Sequence, residues 1–190
     1  MYLAEIHIAG FRKLRDLHIT FRQGLNILVG ENNSGKTAAV DALRALLSTT
    51  DEGALRPDDA DLHVAADGTK ATDITFRYVF RNLDPDDEAD FLMALRPVAV
   101  EAGEEPRFEA HFAVRYEITG AGRLRPRRWC GDHEDNAMTS EMLEDLKAVY
   151  LQPLRDPASG LRPSRTSQLA RLIGRLADDA AKAEIVALLE

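Results

Sequence analysis

The chain has 190 residues, 45% of them hydrophobic and 29% charged, and a formal net charge of −8. That is the composition of a soluble globular domain, or of one lobe of something larger, and it excludes a low-complexity or wholly disordered chain. No run approaches the ~18 consecutive apolar residues of a membrane span, so no membrane partner is expected.

The N-terminus carries a charge at Glu5 and no basic stretch ahead of an apolar one, unlike a secretory signal. Cys130 is the only cysteine, which rules out a disulfide within the chain and suits a cytoplasmic setting. The acidic excess is local, because residues 51–110 hold 16 of the 32 acidic side chains. A whole-chain nucleic-acid footprint is therefore missing, which leaves a local basic patch as the form a nucleic-acid contact would take.

Residues 2–9 alternate with Tyr2, Ala4, Ile6 and Ile8 on one face, the pattern of a half-buried strand that Gly10 should break. A second alternation at 16–21 sets Leu17, Ile19 and Phe21 against Asp16, His18 and Thr20. After a Gln23-Gly24 turn, residues 25–29 are almost continuously apolar, which predicts a strand covered on both faces. Residues 30–34 read as a loop and 35–47 as a helix with Val40, Leu43, Leu46 and Leu47 on one side.

Residues 48–72, rich in Asp, Gly and Ala, read as loop with short helical turns. Ile74, Phe76, Tyr78 and Phe80 alternate as a strand, and Asp84-Pro85 opens a helix. A loop at 101–106 precedes the clearest alternation, 108–118, whose hairpin partner is expected at 123–129. Thr139 caps a short helix, a short apolar strand is expected at 148–151, and helices are expected from Ser164 or Thr166 and from about Asp178.

Gly30-Glu31-Asn32-Asn33-Ser34-Gly35-Lys36-Thr37 satisfies the P-loop pattern G-x-x-x-x-G-K-[ST], between an expected strand and an expected helix. Such a loop points backbone N–H groups at a common centre, and the helix N-terminus adds partial positive charge. Gly30 and Gly35 give the loop its backbone freedom. Lys36 would reach the β- and γ-phosphates of a nucleoside triphosphate, and the Thr37 hydroxyl would bind Mg²⁺. No Asn-Lys-x-Asp motif for reading guanine is present.

The order strand, Gly10-Phe11-Arg12, second strand, Gln23-Gly24-Leu25-Asn26, third strand, P-loop resembles the opening of the ABC-type ATPases of DNA repair and chromosome maintenance: the RecF family, the double-strand-break repair ATPases and the SMC proteins. Gly10 stands where that opening usually has Asn, and Asn33 where it usually has Gly. Asn32-Asn33-Ser34-Gly35-Lys36 looks most like the OLD (overcoming lysogenization defect) ATP-dependent endonucleases, which include Gabija-type defence nucleases. Val149 to Asp156, with its Pro153-Leu154-Arg155-Asp156 turn, and the segment from Leu161 to Leu169 are similar to that branch too.

The resemblance implies an α/β fold, with a mixed sheet around the P-loop helix and an antiparallel β layer. It implies a P-loop lobe at 1–160 and the start of a helical region at 161–190. ATP and Mg²⁺ are the implied cofactors, held by Arg12 and by Gly30, Glu31, Asn32, Asn33, Ser34, Gly35, Lys36 and Thr37. Gln152 ends a strand about where these ATPases place the glutamine that senses the γ-phosphate and Mg²⁺. The implied partners are DNA, through the full-length protein, a second copy in a homodimer or higher homo-oligomer, and a helicase or defence protein. The runners-up are a RecF-like repair ATPase without nuclease and a nucleotide-gated interaction module.

Signature loop, Walker B strand and Toprim carboxylates are not found in the sequence, and the Ile185 to Leu189 run before Glu190 lies in an Ala-rich helical pattern. The chain is therefore expected to be an N-terminal part of a longer protein, nearly inactive alone. Other clusters read as surface. Arg123, Arg125, Arg127, Arg128 and Trp129 fit a charged hairpin edge better than a DNA contact. Arg162, Arg165, Arg171 and Arg175 fit a solvated helix face. Cys130, Asp132, His133, Glu134 and Asp135 match no zinc spacing and read as an exposed acidic loop. Asp58, Asp59, Asp61 and His63 stand either near a bound Mg²⁺ or, the favoured reading, in a solvated loop.

Overall fold

In a computed structural model, residues 1–48, 54–99, 106–120 and 122–148 are described, and all of them lie in one unit, Met1–Tyr150. Six strands form one sheet: β1 (Tyr2–Phe11), β2 (Leu14–Thr20), β3 (Asp73–Arg81), β4 (Leu95–Val98), β5 (Arg107–Ile118) and β6 (Leu124–Cys130). Their order is β2-β1-β3-β5, with β4 and β6 both pairing β5, and every pairing is antiparallel. This is the antiparallel layer that the sequence suggested. β4 and β6 share one edge of β5 because they use different lengths of it, residues 107–110 and 112–118.

Alternation decides which face is buried. Ala4, Ile6 and Ile8 of β1, Phe76, Tyr78 and Phe80 of β3, and Ala110, Phe112, Val114 and Tyr116 of β5 share the inner face. Their rings meet edge to face, Phe11 with Phe76 at 5.2 Å and Phe80 with Phe112 at 5.6 Å between centroids, a favoured aromatic geometry. The opposite face carries polar side-chain pairs running across the strands from Asp16–His7 and His18–Glu5 to Arg81 and Glu109, and beside them Ala113 and Trp129 are buried, with Arg115 over the Trp129 ring.

Helix α1 (Lys36–Leu47) covers the inner face. Its buried side is built on Ala38, Ala39, Ala42, Ala45 and Leu46, while Val40, Leu43 and Leu47 are half-buried. Small side chains let the helix backbone come close enough for the Tyr78 hydroxyl to donate to the Ala42 carbonyl at 2.6 Å. Burial raises the Tyr78 pKa well above its ordinary value, so this hydroxyl stays a donor. Short helices α2 (Pro85–Asp90), opened by an Asp84 capping box, and α3 (Ser140–Asp145), capped by Thr139, complete the described elements with single 3₁₀ turns at Asp59–Asp61 and Leu92–Ala94.

Four expectations change. Gly10 does not end β1: the strand runs on through Phe11, with Gly10 at φ 71°. Residues 25–29 are not a covered strand. Leu25, Ile27 and Val29 are 87%, 73% and 89% exposed, and no ladder includes them among the described residues. β1 already has β2 and β3 as neighbours, so this sheet offers the segment no inner edge. Cys130 is buried at the end of β6 rather than lying in an acidic loop. Arg128 is half-buried opposite Val114 on the inner face, so the charged hairpin edge is Arg123, Arg125 and Arg127, the last paired with Glu134 and Asp135.

β4 was not anticipated, since four residues with a proline give almost no periodicity. Of the strand expected at 148–151 only Ala148 is described, its N–H donating to the Leu47 carbonyl at 2.9 Å, and Gln152, the Arg162–Arg175 face and both C-terminal helices lie outside the described residues.

Candidate phosphate-binding site

The loop at residues 30–35 delivers the chain into α1, and its shape depends on backbone that only certain residues tolerate. Gly35, the N-cap, has φ 98°, and a Cβ there would come within 2.8 Å of Leu14 Cδ2 on β2. Asn33 takes φ 68°, a region Asn enters more easily than most residues. The Ser34 N–H donates to the Glu31 carbonyl at 3.3 Å, and the Lys36 ammonium closes the loop onto the carbonyls of Gly30 (2.7 Å) and Glu31 (2.6 Å).

No side chain caps α1, and no acidic residue stands in its first turn. Its first N–H groups and the positive end of its dipole are therefore unneutralised by side chains. A cleft of about 280 Å³ opens at this end, lined by Arg12 and Lys13 from the β1–β2 turn and by Asn32, Asn33, Lys36 and Thr37 from the loop and helix. Gly30, Glu31 and Ser34 shape the loop through backbone bonds rather than lining the cleft. The residues fit a phosphate chain and its Mg²⁺: backbone donors, one ammonium within reach, and an exposed threonine hydroxyl at the first helical turn.

Arg12 is the sequence-selected residue whose setting is most specific. It sits at φ 50° in the turn after β1. Its Nε donates to Asp61 Oδ1 at 2.7 Å and its Nη1 to Asp41 Oδ2 at 2.6 Å, while Arg44 Nη1 holds the other oxygen of Asp41 at 2.7 Å. Burial alone would lower the Arg12 pKa, but the bonds to Asp61 and Asp41 outweigh it and raise the pKa further.

Asp61 belongs to a segment that packs on the turn. Arg12 N–H donates to the Asp61 carbonyl (2.7 Å), His63 N–H to the Gly10 carbonyl (2.9 Å) and His63 Nδ1 to the Arg12 carbonyl (2.7 Å), and Leu62 between them is buried. The favoured reading of Asp61 and His63 as solvated loop residues is thus overturned. Asp41, only 6% exposed, was missed. The available signal was an aspartate inside the alanine-rich face of the P-loop helix.

A larger depression, about 640 Å³, lies at Thr72, Asp73, Arg115, Glu117 and Ile118. Arg115 is shared there among Asp73, Glu117 and Glu134. It lacks the backbone donor array of the loop, which makes the smaller cleft the better anion site. In the segment after β6, Asp132, His133 and Asp135 are exposed, while Glu134 is half-buried and pairs with Arg115 and Arg127.

Antiparallel layer, P-loop and alanine-faced helix together define the fold of an ABC-type P-loop ATPase. A chain from a structural study of ATP-driven dimerization and DNA-stimulated activation of SMC ATPases has the same fold, with a TM-score of 0.53 at 19% identity over 91% of this chain and 96% of that one. The chain belongs to the AAA ATPase domain family, whose model matches residues 1–153.

Among curated proteins it is similar to the DNA replication and repair protein RecF of Limosilactobacillus reuteri (strain DSM 20016), 41% identical over 49 residues, which is 26% of this chain and 13% of that one. The RecF of Synechococcus sp. (strain JA-2-3B'a(2-13)) is 43% identical over 56 residues, 30% of this chain and 15% of that protein. The chain therefore matches only a small part of the length of these relatives. No helix among the described residues is long and apolar enough to cross a membrane.

Proposed function

We propose that this chain binds Mg·ATP in the cleft at residues 30–37 and that, in the intact protein, ATP binding and hydrolysis control an operation on DNA. The observation that carries the reading is the uncapped N-terminus of α1, with Lys36 folded back on the Gly30 and Glu31 carbonyls beside the exposed Thr37. Mg²⁺ would neutralise charge developing on the phosphates. Lys36 would trade loop carbonyls for phosphate oxygens, Thr37 would hold the ion, and Arg12 would stand at the rim. Adenine over guanine is favoured by the family and by the missing guanine-reading motif, not by any base contact.

The kind of DNA operation has two readings. The RecF relatives favour repair without a nuclease. The Asn32-Asn33-Ser34 sequence favours the OLD-type endonucleases, with a defence role and a partner such as a helicase. Either reading includes assembly with a second copy, which the SMC likeness supports by its fold. Gln152 remains a candidate γ-phosphate sensor, and 161–190 the start of a helical region.

The test is titration calorimetry of Mg·ATP into the chain and into Lys36→Ala. Loss of a charge-assisted contact should weaken binding roughly 10- to 100-fold. Equal affinity in both proteins would overturn the assignment. Mg²⁺-dependent cleavage of DNA by the intact protein would select the nuclease reading.

A further inference from the structure

We infer that Asp61, together with Asp41, is a positioning residue that aims Arg12 at the phosphate cleft. The inference rests on the nucleotide-binding reading of that cleft, and deepens it. Arg12 costs energy to hold where it is, since a left-handed conformation disfavours a non-glycine residue by ~1–2 kcal/mol. Four bonds retain it there: its N–H to the Asp61 carbonyl, its carbonyl from His63 Nδ1, its Nε to Asp61 and its Nη1 to Asp41. The guanidinium also lies over the Phe11 ring, 4.7 Å from its centroid. Two of its three nitrogens are thereby tied by carboxylates on separate parts of the chain, one on α1 and one on the segment at 58–63.

Among the described residues the third nitrogen, Nη2, donates to no side chain or carbonyl, while Arg12 itself lines the cleft beside Lys36 and Thr37. A planar guanidinium fixed at two corners has its third corner fixed as well. Asp41 links this aim to the P-loop, because it stands on the helix that begins with Lys36. It also carries Arg44 on its second oxygen, so the two carboxylates and two guanidinia balance in charge. Asp61 is the adjustable member. Its other oxygen accepts the Asp58 N–H and closes the 3₁₀ turn that presents it.

The sign of the effect separates positioning from simple electrostatics. Asp61→Asn removes a negative charge near an anion site, so Coulomb attraction alone would tighten ATP binding. Positioning demands the opposite, because the Asn amide cannot hold the guanidinium as a carboxylate does. Mg·ATP titrated by calorimetry into the full 190-residue chain should bind roughly three- to tenfold more weakly to Asp61→Asn. In an Arg12→Ala background the same substitution should cause no further weakening. Asp59→Asn, which removes a charge from the same turn at a side chain that bonds Lys70 rather than Arg12 or Asp61, should not weaken binding and so controls for charge and for the fold of the segment.

Unchanged or tighter binding by Asp61→Asn would overturn the inference, as would equal weakening with and without Arg12. Lys36→Ala run alongside keeps the two readings apart. If it weakens binding while Asp61→Asn does not, only the positioning role falls. If it binds like the unaltered chain, the cleft itself has been misassigned.

Discussion

Gly10→Ala tests whether the turn carrying Arg12 is as tightly built as the structure indicates. Gly10 sits at φ 71°, and a Cβ there would lie 2.4 Å from the Asp73 carbonyl oxygen, a backbone atom at the start of β3. Two costs follow. Positive φ disfavours alanine by ~1–2 kcal/mol, and relieving a collision with backbone in a packed region adds ~1–3 kcal/mol. The expected loss, about 2–5 kcal/mol, is a large share of the ~5–15 kcal/mol that holds a domain folded.

Two companions separate these costs. Gly68→Ala has the same sign of φ, 84°, with nothing within 4 Å of the added carbon, so it should lose only the conformational part. Gly10→Asn eases the conformational part, because Asn tolerates positive φ, but keeps the collision. Urea unfolding of the three variants, followed by circular dichroism, gives the differences. Gly10→Ala no more destabilising than Gly68→Ala would refute the reasoning, for it would mean that β3 yields at no cost and the Arg12 turn is not fixed by it.

Tyr78→Phe removes the donor to the Ala42 carbonyl and should cost about 1 kcal/mol in the same urea measurement, with an unchanged slope. His111 is shifted below its ordinary value near 6.5 by burial and then by Arg96, against Glu109 and Asp132, so its neutral form is favoured in the folded state. Its contribution is therefore complete above pH 6.5 and declines as pH falls through the lowered folded value, because the unfolded chain takes up the proton first. Unfolding midpoints measured between pH 7 and 5 should fall less steeply in His111→Gln, and equal slopes would discount the shift. The 190-residue chain should release phosphate from ATP far more slowly than about one turnover per second and should not nick plasmid DNA with Mg²⁺ or Mn²⁺. The described site supplies a phosphate cradle, but the two aspartates near it are both occupied by Arg12. Faster turnover would mean that a water-activating group has been overlooked.

The P-loop was legible from spacing alone, because the chemistry resides in contiguous backbone. Eight consecutive residues set the glycines, the lysine and the threonine, and the helix beginning at Lys36 follows from what comes next in the chain. Strands β1, β3 and β5 were legible for the same local reason, since a sheet with one buried face imposes alternation on each strand separately. Residues 25–29 mark where local reading stops. Their apolar run states what they require, cover on both faces, but says nothing of which segment supplies it, and in the described structure none does.

The setting of Arg12 belongs to tertiary structure altogether. Asp41 is 29 residues and Asp61 49 residues away in sequence, and no periodicity relates residues so far apart. Asp61 read as a solvated acid because aspartates in a Gly- and Asp-rich stretch usually are. It became a ligand of Arg12 only when Leu62 entered the core and drew the neighbouring backbone onto Gly10 and Arg12. Asp41 tolerates burial in an alanine face because Arg44, three residues along the same helix, takes one of its oxygens and Arg12, arriving from the β1–β2 turn, takes the other. The sequence determined the cradle, whose parts are neighbours along the chain. Folding decided what surrounds it, because a buried charge is permitted only where distant partners converge.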